Sequence, residues 1–322
     1  MRAHALALAA CGVALAACAG APSDRLTWRE SWNMVIMDEG GLLINAKLTR
    51  SNTGLLRGQG HLDVTVFPPH ESAVVLRRTA PPQAVTADPG TGALGMLQDR
   101  LEQDQDGWTL NVREGRDALD ATLHLAPSAP EIAPSTLVSG QHQWLLGVPV
   151  PHGQATGAWR AGEQGGLIRG QGVLIRQSTD TWPGVEPAHS SLYLITPQRS
   201  IGVEQVGDRS VAWVADSTGV RTGASATIQR HGRQLELSLL PDLPITAQVR
   251  IGVRSIVREP WDHLLPFERP LARLLAGWPV STHERGRAQI TTDGATVTST
   301  ALLVHGATPA AKRRRGKGRV EE

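Results

Sequence analysis

The chain of 322 residues predicts an all-β protein of two consecutive antiparallel barrels, with one short helix near the C-terminus. Glycine and proline together exceed one residue in six (34 Gly and 21 Pro), and such a density of turn-forming residues favours many short strands. Apolar runs alternate with turn signals along most of the chain. In addition, the heptad GLLRGQG of residues 54–60 returns as GLIRGQG at residues 166–172.

The N-terminus predicts a lipoprotein signal over residues 1–18. Arg2 precedes an Ala/Leu-rich stretch that ends in Leu15-Ala16-Ala17-Cys18, the small-residue pattern processed at a lipidated cysteine. The chain has two cysteines, Cys11 and Cys18, so the mature protein would begin with its single cysteine and could form no internal disulfide. Cleavage of an ordinary secretory signal near Ala21 is the alternative.

We therefore expect a lipid-anchored protein of the bacterial cell envelope, with residues 19–27 as the tether. The residue after the lipidated cysteine is Ala19, whereas an acidic residue at this position would disfavour the outer membrane. We therefore expect the protein on the outer membrane, facing the periplasm. The membrane would be a partner through this anchor. The formal net charge is only +2, and no nucleic-acid partner is expected.

The N-terminal barrel is predicted over residues 28–125. Turn signals separate strand-like runs, and residues 61–67 alternate apolar and polar side chains with a period of two. The predicted strands are 42–48, 61–67, 73–76, 108–112 and 121–125. Residues 126–140, with three prolines among small polar residues, are predicted to be a linker.

The C-terminal barrel is predicted over residues 141–306. Its strand-like runs are 155–160, 167–176, 191–195, 211–214, 224–229, 235–239, 247–253, 288–292 and 296–304. Phe267, Leu271, Leu274 and Leu275 have helical spacing and predict the one short helix. The basic tail of residues 307–322 is predicted to be disordered, either solvated or in contact with an anionic surface.

The repeated heptad suggests an internal duplication. When residues 45–60 are aligned with residues 157–172 without a gap, the heptads coincide and both segments follow the order strand, polar turn, glycine, strand. Chance convergence in glycine-rich β-sequence is the alternative. Phosphate binding is disfavoured, because no Gly-x-Gly-x-x-Gly, no following helix and no P-loop lysine accompany the heptads.

Short motifs resemble the tandem lipocalin-like proteins, which include carotenoid 1,2-hydratases and survival-factor-like lipid-binding proteins. Glu30-Ser31-Trp32 with Asp38-Glu39-Gly40-Gly41 is similar to the opening strand and turn of that family. Gly170-Gln171-Gly172 resembles the start of its second domain, and residues 286–306 resemble its closing hairpin. The resemblance implies two lipocalin-like barrels side by side, with a cavity for a lipid or isoprenoid.

One motif of the hydratases is missing. Their Asp-His-x-Trp-Gly element would follow Gly170-Gln171-Gly172, and its nearest counterpart here is Asp180-Thr181-Trp182, with Thr in place of His. Hydration of an alkene needs a strong acid and a held water, so we expect the chain not to be an enzyme of that kind. Pro187-Ala188-His189, followed by Tyr193, resembles an element of the survival-factor-like branch.

Other catalytic and metal-binding patterns give no further candidate. The eleven histidines form neither His-x-His nor His-Glu-x-x-His, and no Gly-x-Ser-x-Gly occurs. We therefore expect no metal and no cofactor. A Ser-His-Asp set assembled from distant strands stays open.

The main hypothesis is an envelope lipoprotein that binds an apolar lipid or isoprenoid in a lipocalin-like cavity, without catalysis. The candidate ligand-binding residues are Trp144, Trp159, Trp182, His189, Tyr193 and Trp213, chosen for residue type and for their place in the second unit. One alternative is a hydratase or isomerase acting on an isoprenoid, with a buried acid near Asp180 or Asp216. Another is an envelope scaffold whose barrels are filled.

Overall fold

A computed structural model describes the greater part of the chain. The described residues are 28–52, 58–88, 93–113, 119–139, 142–180, 188–223, 226–239, 244–252, 256–258, 270, 280–292 and 295–307. Within them no helix combines the length and the apolar character needed to cross a bilayer.

Twelve antiparallel strands form the first sheet. They are β1 (Arg29–Asp38), β2 (Leu43–Ser51), β3 (Gln59–Phe67), β4 (Val74–Ala80), β5 (Val85–Ala87), β6 (Leu94–Met96), β7 (Asp99–Gln103), β8 (Trp108–Val112), β9 (Leu119–Pro127), β10 (Ile132–Ser139), β11 (His142–Ala161) and β12 (Gln164–Thr179). Their order is β4-β3-β2-β1-β12-β11-β9-β8-β7-β6-β5, and β10 pairs with β11 beside this path. A single 3₁₀ turn, Pro82–Ala84, leads into β5.

Ten antiparallel strands form the second sheet. They are β13 (His189–Ile195), β14 (Arg199–Val206), β15 (Arg209–Asp216), β16 (Gly219–Gly223), β17 (Ala226–His231), β18 (Gln234–Leu239), β19 (Ile245–Ile251), β20 (Ile256–Arg258), β21 (Val280–Thr292) and β22 (Ala295–Ala307). Their order is β16-β15-β14-β13-β22-β21-β19-β18-β17, with β20 paired to β21 beside the path.

Both sheets follow one plan, in which the first strand pairs with the last: β1 with β12, and β13 with β22. Each sheet then curls until its two margins approach. Arg78 of β4 donates to Asp99 of β7 across the first seam, and the Ser210 hydroxyl of β15 bonds the backbone of Ala226 of β17 across the second. The predicted all-β architecture of two antiparallel barrels is confirmed.

The inward-facing side chains fill both barrels with apolar groups. Most members of these two cores expose less than 2% of their surface. Met34, Leu62 and Leu123 represent the first core, and Leu192, Val203 and Leu237 the second. The interior of each barrel is thus a packed core over the described residues.

The division between the sheets differs from the predicted domain boundary. Residues 126–140 were predicted to be a linker, yet β9 extends to Pro127 and residues 132–139 form β10. Pro134 fits a strand here because the β10–β11 register shifts between Ile132 and Ser135, and a bulge tolerates the missing N–H. Strands β11 and β12 belong to the first sheet, so the chain passes to the second sheet between residues 180 and 188.

The two heptads do not mark equivalent strands of the two barrels, since Gly60 lies in β3 and Gly170 in β12 of the same sheet. Their glycines also meet different constraints. A Cβ on Gly60 would lie 2.5 Å from the Met96 sulfur, whereas a Cβ on its counterpart Gly172 would lie 2.8 Å from the Val35 carbonyl oxygen of β1. The heptads therefore do not mark two copies of one unit, although the two sheets share a strand order in which β11–β12 correspond to β21–β22.

The predicted short helix and the predicted basic tail lie almost entirely outside the described residues. The positions that predicted the helix, from Phe267 to Leu275, lie outside the described residues except for Pro270. Residues 308–322 and the N-terminal residues 1–27 also lie outside them.

We expect the Arg78–Asp99 pair to be essential for closing the first barrel. Arg78 Nη1 lies 2.8 and 3.0 Å from the two Asp99 carboxylate oxygens, and the Asp99 side chain is fully buried. Replacing Asp99 with Ala leaves a buried guanidinium without its carboxylate and should lower the free energy of unfolding by about 3–5 kcal/mol. Urea denaturation measures this.

Asp63 of β3 provides the control, because its partner Arg77 neighbours Arg78 on β4. It pairs with Arg77 at 3.4 Å, and both side chains are 33% exposed, so Asp63→Ala should cost about 0–1 kcal/mol. Equal losses for the two variants would contradict the assigned role of the buried pair.

We also expect the protein to lose stability in mild acid. His152 is buried, its Nδ1 lies 2.8 Å from the Ser200 hydroxyl of the second sheet, and burial lowers its pKa despite the opposing effect of Asp216. The unfolded chain therefore binds a proton more readily than the folded one, and stability should fall as the pH drops below about 6.5.

Urea denaturation at a series of pH values checks this. His152→Gln should flatten the acid limb of the stability curve, whereas His231→Gln, at an exposed position, should leave that limb unchanged. An unaltered acid limb in His152→Gln would refute the prediction.

Candidate active site

The outward faces of the two sheets meet and bury a mixed apolar and polar interface. Its apolar part joins Val35, Val173 and Ile175 of the first sheet to Tyr193 and Trp213 of the second. Trp213 lies flat against Gly202, where an added Cβ would come within 2.0 Å of the indole. This packing holds the polar side chains of the interface in fixed positions.

Glu204 is the centre of the polar part. It is 1% exposed, and its carboxylate accepts hydrogen bonds from Gln177 Nε2 (2.9 Å), Ser191 Oγ (2.7 Å), His189 Nε2 (2.9 Å) and the Tyr193 hydroxyl. Gln177 belongs to β12 of the first sheet, so the carboxylate joins the two barrels. Donors therefore bond both carboxylate oxygens, which compensates this buried group for the loss of water.

The strand geometry explains why these groups converge. His189, Ser191 and Tyr193 alternate along β13 and therefore share its outward face. Glu204 of β14 lies directly opposite Ser191, the middle residue of the three. Local pairing thus brings one acid within reach of three donors on the neighbouring strand.

His189 is positioned for proton transfer. Its Nε2 bonds Glu204, and its ring stacks on Trp144 with centroids 5.1 Å apart and an angle of 28° between the planes. Among the described residues its Nδ1 has no hydrogen-bond partner, and the side chain is 14% exposed. An imidazole held by a carboxylate at one nitrogen can take up or deliver a proton at the other.

Tyr193 serves as a donor to the carboxylate. Burial, reinforced by the Glu204 charge, raises the pKa of Tyr193 well above its ordinary value. The phenol therefore stays protonated and donates to Glu204, while Asn33 of β1 also hydrogen-bonds to it. A second contact between the barrels is made in this way.

A serine-nucleophile arrangement does not fit this geometry. Ser191 Oγ lies 3.2 Å from His189 Nε2, but the same Nε2 bonds Glu204, and Ser191 itself donates to that carboxylate. In a catalytic triad the imidazole uses one nitrogen for the serine and the other for the acid. The cluster is thus better suited to acid–base chemistry than to acyl transfer.

Several buried polar atoms of these faces have no hydrogen-bond partner among the residues that the structure describes. They are Asn33 Oδ1, Asn45 Oδ1, Ser51 Oγ, Gln59 Oε1, Gln171 Oε1, Trp144 Nε1 and Trp213 Nε1. Strand alternation places all seven residues on the outward faces of the two sheets. A buried polar atom left without any hydrogen bond costs about 1–3 kcal/mol, so these positions are compensated less well than the carboxylate of Glu204.

Four of the six predicted ligand-binding residues come together at this interface: Trp144, His189, Tyr193 and Trp213. Trp159 instead packs in the core of the first barrel. Trp182 lies outside the described residues.

The acid of the cluster differs from the predicted ones. Asp216 is held at a turn by Thr218 and Arg199, and these bonds, led by Thr218, lower its pKa; Asp180 is partly exposed. Glu204 was missed, as were Gln177 and Ser191, because an acid inside a short strand carries no motif. The usable signal was the alternation of His189, Ser191 and Tyr193, which assigns three polar groups to one face.

Metal chemistry has no apparent site in the described part of the chain. There, no three His, Cys, Asp or Glu side chains lie close enough together to hold an ion.

No protein-family model and no curated sequence matches the chain. Solved structures do match in fold. CghA, crystallised with Sch210972, has a TM-score of 0.60 at 11% identity, covering 88% of this chain and 89% of its own. An AttH-like protein from Nitrosomonas europaea has a TM-score of 0.57 at 13% identity, covering 89% and 94%.

Kievitone hydratase from Nectria haematococca has a TM-score of 0.58 at 7% identity, covering 86% of this chain and 88% of its own. At such low identities the likeness concerns the fold alone. The chain therefore has the tandem lipocalin-like barrel fold of CghA, AttH-like proteins and kievitone hydratase.

Proposed function

We propose that the chain is an enzyme that moves protons on a small apolar molecule bound between the two barrels, as a hydratase or an isomerase does. The observation that carries this proposal is the His189–Glu204 pair, with Nε2 bonded at 2.9 Å and Nδ1 left without a partner among the described residues. General acid–base catalysis requires such a group, oriented at one nitrogen and available at the other.

The chemistry follows from the two charge states of His189. His189 delivers a proton from Nδ1 to a carbon of an electron-rich, activated double bond of the substrate, while the bond from Nε2 to Glu204 keeps the ring oriented. Water adds to the resulting cation and gives up one proton to the neutral imidazole, which completes hydration. Loss of a proton from a neighbouring carbon to the same imidazole gives isomerisation instead. Trp144, stacked on His189, offers a flat surface beside the reacting group.

The interface favours catalysis over simple carriage of a lipid. A carrier of the predicted kind would need a cavity inside a barrel, whereas both interiors are packed with apolar side chains. Neither a carrier nor a scaffold needs a 1%-exposed carboxylate beside an oriented imidazole. The shared fold with a protein named as a hydratase supports the same class of reaction.

We expect His189→Gln to abolish proton transfer while leaving the fold intact. The purified protein is incubated in D₂O with a panel of terpenoid alkenes and phenolic enones, and mass spectrometry detects deuterium uptake or the gain of one water. Loss of a general acid–base group should lower the rate by about 10²–10⁴-fold.

Asp216→Asn is the matched control, since it removes an acid of the same sheet that lies outside the cluster and should leave the rate unchanged. A wild-type protein that exchanges no proton with any member of the panel, or a His189→Gln variant of full activity, would refute the proposal.

We further propose that the protein acts at the bacterial envelope, anchored through Cys18. Acyl chains on one cysteine each gain about 0.8 kcal/mol per buried CH₂, enough for stable attachment when several are present. Expression in a bacterial host with radiolabelled palmitate should label the protein. Cys18→Ser should remove the label and Cys11→Ser should retain it, whereas an unlabelled wild type would contradict the anchor.

A further inference from the structure

The acid–base pair of the candidate site lies wholly within the second barrel, with His189 on β13 and Glu204 on β14. The first barrel adds two amide side chains to the same cluster, Gln177 of β12 and Asn33 of β1. Both amides are buried, each with 9% of its surface exposed. One of them is connected to each oxygen of the Glu204 carboxylate.

Gln177 holds the carboxylate oxygen that orients the imidazole. Its Nε2 donates to Glu204 Oε2 at 2.9 Å, and His189 Nε2 bonds the same oxygen at 2.9 Å. The backbone of Gln177 is fixed on both sides, because it pairs with Ser31 of β1 and with Leu146 of β11. The oxygen beside His189 is therefore held from the facing sheet by a side chain on a rigid support.

Asn33 reaches the other carboxylate oxygen through Tyr193. The Tyr193 hydroxyl donates to Glu204 Oε1, so its oxygen is free to accept a bond from the Asn33 amide group. In the β1–β12 register Asn33 lies two residues from the partner of Gln177, and strand alternation places both amides on one face. A single patch of the first barrel thus braces both oxygens of the acid.

The chemistry of an amide suits this task. Gln177 and Asn33 donate hydrogen bonds without carrying a charge. A lysine or arginine at position 177 would make a charge-assisted bond, which is about twice as strong, and would compete with His189 for Oε2. A neutral donor fixes the direction of the carboxylate and leaves the imidazole its place on the same oxygen.

We infer that Gln177, together with Asn33 acting through Tyr193, is a positioning residue of the acid–base site: the first barrel orients Glu204, and Glu204 orients His189. This inference rests on the proposed function and gives the first barrel a part in the reaction besides docking. Because neither amide bonds His189 itself, their loss should slow proton transfer and leave the affinity for the substrate unchanged.

Gln177→Met tests this, since methionine has a similar length and volume but no donor. In the deuterium-uptake assay we expect kcat to fall by about ten- to hundredfold with an unchanged KM, because a carboxylate that can turn holds the imidazole less precisely. Urea denaturation shows that the variant is folded under the assay conditions.

Asn45→Leu is the matched control, because Asn45 also joins the two barrels. It is 2% exposed, and its Nδ2 lies 3.1 Å from Nδ1 of His283 on β21, away from the bonds around Glu204. We expect this variant to keep the wild-type kcat. If Gln177 only docked the barrels, Asn45→Leu would slow the reaction as much as Gln177→Met does, and the inference would be overturned.

A measurement without substrate separates this inference from the proposed function. Nuclear magnetic resonance of isotope-labelled histidine reports which imidazole nitrogen carries the proton, and the signal lost in His189→Gln identifies His189. Since Nε2 bonds the carboxylate, we expect the wild-type neutral ring to carry its proton there. Gln177→Met should raise the share of the Nδ1–H form, and Asn45→Leu should not.

An unchanged kcat and an unchanged His189 spectrum in Gln177→Met would overturn the inference and leave the proposed function standing. If instead the wild type moves no proton on any compound of the panel, the proposed function fails. A tautomer shift confined to Gln177→Met would then still support the orientation of His189 by the first barrel.

Discussion

The structure depends on the pairing of the first strand with the last in each unit. Because β1 pairs with β12 and β13 pairs with β22, each sheet must curl, and its inward residues form a closed apolar core. The same pairing also determines which side chains lie on the outer surface of each barrel. The strands that close each barrel also carry the outward residues that meet the other barrel, so closure and the interface are one constraint.

The interface departs from the usual rule that apolar surfaces meet when domains pack. Val35, Ile175 and Trp213 follow the rule, yet beside them lie a buried carboxylate and a set of unpaired amide oxygens. Glu204 is stable there because four donors from both sheets surround it. Several amide oxygens of the same faces bond no donor among the described residues, so the loss of water is compensated less well there than at Glu204.

The fold and the chemistry have separate origins in this chain. The hydratase-type Asp-His motif is missing after Gly172. Sequence motifs alone would therefore not identify the chain as an enzyme. A histidine and an acid nevertheless meet between β13 and β14, because His189 and Glu204 share one face of two paired strands. Acid–base groups need a common location and an orienting bond, not a common segment of sequence.

The sequence by itself determined the class of fold, since alternation with a period of two and frequent turns admit few other solutions. It also proposed Trp144, His189, Tyr193 and Trp213 as ligand-binding residues, but on residue type and on an assumed place in the second unit, as the lining of a barrel cavity. Only the tertiary structure decided that residues 142–179 belong to the first barrel, that Trp159 lies in a core, and that Glu204 is the acid. Strand partners far apart in the chain make those assignments, and no local pattern encodes which distant strand a given strand will pair with.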